Sequence, residues 1–80
     1  MEIVRLPIGA GAPPDSDCIS IEEQADGSFG LTGSLLSDDG SVAIVSPIIC
    51  PTREAAEEQG MSWAANCDVP RLYVSTTLRR

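Results

Sequence analysis

The sequence predicts an α+β fold of two layers, a mostly antiparallel sheet of 4–5 strands with one helix packed on one face, in the order β-β-β-β-α-β. Three observations lead there. Short segments alternate apolar and polar residues with the period of a strand. Two Asp-Gly dipeptides, Asp26-Gly27 and Asp39-Gly40, punctuate those segments as hairpin turns do. One stretch alone, residues 51–67, carries helix signals at both ends.

The first strand is expected over residues 3–8, with Val4, Leu6 and Ile8 on one face and Ile3 and Arg5 on the other. Pro7 has no N–H to give a ladder, which suits an edge or a strand end. Residues 9–17 form a loop. Gly9-Ala10-Gly11 opens like a dinucleotide fingerprint, but Pro14 stands at the third glycine position and no helix follows. Asp15 and Asp17 open like a calcium loop, yet Ile19 occupies the next ligand position and the turn glycine is missing.

A second strand is expected over residues 18–24, with Ile19 and Ile21 inward and Ser20 and Glu22 outward. After the turn at residues 25–28 comes a third, over 28–36, in which Phe29, Leu31 and Leu35 alternate. Gly33 interrupts it, as a bulge or a site beneath the helix would. Residues 37–40 make the second turn. The fourth strand covers residues 41–49. Val42 to Val45 is apolar on both faces, which predicts a central position, and Pro47 ends the regular ladder or marks a bulge. The last strand, residues 71–77, places Leu72, Val74 and Thr76 on one face.

The helix rests on its ends and its stripe. Thr52 is a good N-cap, and Glu54 in the first turn complements the helix dipole. Ala56, Gly60, Trp63, Ala64 and Cys67 are spaced to share one face, opposite Glu54, Glu58, Ser62 and Ala65. Asn66 and Asp68 are stop residues and Pro70 cannot continue the helix. Gly60 costs roughly 1 kcal/mol relative to alanine in a helix interior, and close approach of helix to sheet is the expected compensation.

Eighty residues predict one domain, with a frayed tail at 78–80. Charged residues are 21% and hydrophobic residues 42%, a globular composition. Net charge is −7, with neither lysine nor histidine. That balance argues against nucleic acid and against anionic membrane surfaces, since both reward positive charge. Arginine without lysine suggests a GC-rich, bacterial genome. The three cysteines, Cys18, Cys50 and Cys67, form no CxxC pair and follow no basic, apolar leader. Reduced thiols in a cytoplasm are the reading, with no membrane span.

Few residues suit chemistry. Without histidine the commonest general base and the histidine metal sites are absent. No serine lies in a G-x-S-x-G context. Glu22 and Glu23 are adjacent on a strand and point to opposite faces, so they cannot act as a pair. Asp38 and Asp39 are turn residues. Neither a metal set nor a cofactor site emerges. Glu54, Glu57 and Glu58 form an acidic surface on the exposed side of the helix, where a basic protein partner could dock. Cys50 precedes the helix, whose dipole can lower a thiol pKa, but its flank Ile48-Ile49 is apolar and predicts a buried structural cysteine.

Glu22-Glu23 with Asp26-Gly27, a three-stranded meander, and Thr52-Arg53-Glu54-Ala55-Ala56 opening a helix resemble the N-terminal domain of HicB-type antitoxins. The likeness covers about half the chain and rests on general α+β features. It lacks the Pro/Gly/Cys segment that the family carries before the threonine. The resemblance implies binding and inhibition of a basic, RNA-cleaving toxin.

Two readings follow. The first is an acidic, non-enzymatic protein-interaction module that associates with itself, because one helix covers one sheet face and the core is small. Two copies would bury their open faces or join edge to edge. The second is a small-molecule-binding or enzyme-like domain with a pocket between helix and sheet near Cys50 and Trp63.

Overall fold

Residues 1–37 and 40–78 are described in a computed structural model of the chain. The expected turn residues Asp38 and Asp39, and the expected fraying of Arg79 and Arg80, lie outside the described residues. The elements follow the expected order: β1 Glu2–Arg5, β2 Cys18–Glu23, β3 Phe29–Ser37, β4 Gly40–Cys50, α1 Arg53–Asn66 and β5 Arg71–Thr77. The fold is α+β, one five-stranded sheet with one helix packed on it.

The strand order is β1-β5-β2-β3-β4. β2, β3 and β4 form the expected antiparallel meander. β5 enters between β1 and β2 and runs parallel to both, so the sheet is mixed. Parallel neighbours need crossovers, and the chain makes two. Helix α1 carries the chain from β4 back over the meander to β5. Residues 6–17 carry it from β1 past β5 to β2. Leu6 N donates to Val74 O at 3.0 Å and Gly9 N to Thr76 O at 2.9 Å, so this connection first follows β5. It then crosses: Ser75 Oγ donates to Ala10 O at 2.7 Å, and Tyr73 N donates to Asp17 O at 2.9 Å. Ser75 alternates with the buried Val74 and Thr76, so this crossing lies on the face away from the helix. The two crossovers run in opposite directions on opposite faces, as a common hand requires.

The first strand stops at Arg5 rather than at residue 8, because Pro7 cannot donate to a ladder. The β2–β3 turn is as expected. Gly27 takes φ +87°, and Asp26 Oδ1 accepts from Ser28 N at 3.0 Å and from Ser28 Oγ at 2.6 Å. Those two bonds stabilise the charged form and hold the Asp26 carboxyl below its ordinary pKa.

The core lies between α1 and the sheet. Ile19, Leu31, Ala56, Ala64 and Leu72 are all 0% exposed. Thr52 caps the helix as expected, its Oγ1 accepting from Ala55 N at 3.1 Å. Ala56, Gly60 and Ala64 are the buried stripe. A Cβ on Gly60 would stand 2.5 Å from Ile19 Cδ1 and 3.1 Å from Leu31 Cδ1, so the small stripe is what lets the helix lie this close. One turn on, the half-buried Trp63 ring covers Gly33 so closely that a Cβ there would overlap it. Cys67, expected on the buried face, is the exposed C-cap instead. The helix unwinds one residue before Cys67, and its N–H bonds back to Ala64 O at 3.0 Å. Asp68 follows in the left-handed region with φ 56°.

The largest correction concerns β4. Its apolar run predicts a central strand, yet β4 is an edge with β3 as its one neighbour. The reason is topological: the helix delivers β5 to the far side of β2, and the sheet grows away from β4.

Candidate functional site

The β4 edge joins an open strand to exposed apolar side chains. Gly40–Cys50 contains no charged residue. Val45 is 86% exposed, Ile49 60%, Leu36 47% and Val42 45%, four of the seven large hydrophobic side chains exposed among the described residues. They project on both sides of the sheet. Val42 lies opposite Leu35 on the helix side, and Ile49 lies opposite Gly30 on the other.

The register explains Val45. Leu31 pairs with Ile48 and Gly33 pairs with Ile44, so Thr32 faces three residues, Val45, Ser46 and Pro47. This is the bulge that Pro47 predicts, and all three residues are exposed. It separates the strand into a regular arm at residues 40–44 and a short one at residues 48–50. An unpaired edge of this length, uncharged and apolar, is a template for another strand.

The other edge is built differently. β1 has four residues, and two of them are charged. Glu2 pairs with Arg71 at 2.5 Å, and Arg5 pairs with Glu57 of the helix at 3.1 Å. The Glu2 carboxylate raises the Arg71 pKa, which keeps that guanidinium charged. Short length and charge are the ordinary means by which an edge discourages pairing.

The structure separates the expected acidic surface. Glu54 and Glu58 are exposed, but Glu57 turns toward the sheet, its side chain 15% exposed, and is held by Arg5. Arg5 is legible as a face residue of β1, but its meeting with Glu57 depends on β1 pairing with β5 at the edge of the sheet. Glu57 therefore contributes little negative potential to a docking surface.

Cys50 is buried at 3% exposure, as its apolar flank predicts. Its Sγ makes two weak contacts, 3.7 Å to Gln59 Oε1 and 3.9 Å to Ile48 O. Trp63 lies one helical turn beyond Gln59 over Gly33, and between them Gly60 rests directly on Ile19 and Leu31. The residues expected to line a helix–sheet pocket are thus packed against core side chains. A shallow surface depression lies instead at the β2–β3 turn, lined by Gln24, Ala25, Asp26, Ser28 and Ile49. Burial pushes the Cys18 thiol above its ordinary pKa; a hydrogen bond with the Ser34 backbone opposes this, and the Asp17 carboxylate adds to it. A raised thiol pKa is the reverse of what a nucleophile needs.

Among the described residues no group of three or more Cys, Asp or Glu side chains is placed to hold a metal ion. No helix among them is long and apolar enough to cross a membrane. No family model, no curated protein and no solved structure matches the chain.

Proposed function

We propose that this protein is an acidic, non-enzymatic protein-interaction module of the cytoplasm that associates with copies of itself. One observation carries the reading: β4, an eleven-residue edge strand, holds no charge and exposes Val42, Val45 and Ile49. Such a strand in isolation favours association.

Cover for an open sheet face gives only a weak reason for self-association. The face away from the helix presents Ser20, Glu22, Thr32, Ser34 and Ser75, and residues 6–17 pass over part of it. A polar face of that kind is stable in water. The edge is where association has most to gain. Glu54 and Glu58 remain on the outside of the helix, available to a basic partner in an association that salt would weaken.

Sedimentation equilibrium over a wide range of loading concentrations tests the reading. The weight-average mass should rise from that of one chain toward that of two. A constant one-chain mass throughout, with no binding of a hydrophobic dye, overturns it.

A further inference from the structure

We infer that the second copy docks by laying residues 40–44 of its own β4 antiparallel against residues 40–44 of this one, across a two-fold axis near Val42. The inference rests on the self-association proposed above and names its surface. The strand order ends at β4, so half of its backbone N–H and C=O groups face outward without a neighbouring strand. An antiparallel pair of identical strands about a two-fold axis satisfies both edges with one contact.

Charge selects a second copy as the occupant. The chain carries a net charge of −7, so most surfaces of two copies repel when apposed. The β1 edge brings Glu2, the helix brings Glu54 and Glu58, and the open face brings Glu22. Of the six elements β3 and β4 have no ionisable carboxylate or arginine, and of these β4 is the one at an edge, so two acidic chains meet there without juxtaposing like charges within the strands. A basic peptide would find no carboxylate on this strand to recruit it. The bulge selects the arm. Val45 to Pro47 leaves the regular ladder, and Pro47 has no N–H to donate. Residues 40–44 keep unbroken pairing with β3 and so present a regular outer edge. With the axis near Val42, the two Val42 side chains face each other on the helix side, while the exposed Leu36 of each copy lies on the other face of the sheet. The contact is small by the standard of about 800 Å² per partner for stable complexes, so it should be weak and concentration-dependent.

Val42→Lys and Val42→Asp, studied alone and mixed, test the arrangement. Each variant alone should need at least tenfold higher concentration than the unaltered chain to associate, because each sets like charges face to face. An equimolar mixture should restore association, since lysine then faces aspartate. Hydrogen exchange of the unaltered chain supplies a readout that needs no variant: amides of residues 40–44 should slow as concentration rises, while those of β1 do not. A chain that stays monomeric at every concentration defeats the self-association reading itself. A chain that associates while Val42→Lys leaves the association unchanged, or whose residues 40–44 gain no protection, keeps that reading and overturns the β4 docking. Two variants that fold and fail to associate, alone and when mixed, overturn the two-fold at Val42.

Discussion

Ile19 and Ile49 belong to one sheet, and the first is 0% exposed while the second is 60%. The same contrast separates Val74 at 2% from Val45 at 86%. Side-chain chemistry is equal within each pair, so position in the sheet decides the difference. β2 and β5 each have neighbouring strands on both sides, whereas β4 has one, and Ile49 projects from the face away from the helix while Val45 lies in the bulge. Hydrophobic stabilisation follows area removed from water, and in a single chain Val42, Val45 and Ile49 of β4 remove little of it. The sheet thus has a centre that stabilises the fold and a margin whose apolar surface remains available for contact.

The contrast should appear directly in denaturant melts. Leu72→Ala, in the middle of the centre, is expected to lower stability by about 3–4 kcal/mol, the ordinary cost of a leucine cavity in a closed core. A loss under about 1 kcal/mol would mean that the centre is loosely packed and the contrast is false.

Two glycines sharpen the comparison at the helix–sheet contact. Gly33→Ala would drive a methyl group into the Trp63 ring, at an expected cost of about 2 kcal/mol. Placed in a Trp63→Ala background, the same change should cost much less, and a double-mutant cycle measures the coupling. Strict additivity would show that the ring does not rest on Gly33.

Gly60→Ala should gain about 1 kcal/mol of helix propensity and lose more than that to crowding against Ile19 and Leu31. The net change is an expected loss of about 1 kcal/mol. A higher melting temperature would show that the two side chains move aside freely.

At the margin the effect should be smallest. Val45→Thr in dilute solution should change stability by less than about 0.5 kcal/mol, because an exposed side chain has little burial to lose. The corresponding loss at high concentration should be larger if Val45 contributes to association. Equal and small effects at both concentrations would confine the docking surface to other residues of the edge.

Much of this architecture is legible in the residues, and the failures share one origin. Asp26-Gly27 sets a hairpin turn because glycine accepts the positive φ and the aspartate carboxylate accepts from the backbone N–H of Ser28, two residues on. Thr52 and Asp68 bound the helix, and Ala56, Gly60 and Ala64 mark its close face, all from local spacing. Leu72, Val74 and Thr76 show their burial by alternation. Each of these signals acts within a few residues, and the chain's own stereochemistry determines it. The ion pair Arg5–Glu57 spans fifty-two positions, and nothing local announces it. The place of β4 is of the same kind. Val42 to Val45 is apolar on both faces in the centre of a sheet and on an edge alike, so its pattern determines that it is a strand and that it seeks burial. Whether that burial comes from its own chain depends on where α1 delivers β5. Tertiary structure alone decided that: β5 paired with β1 and β2, and β4 kept one neighbour.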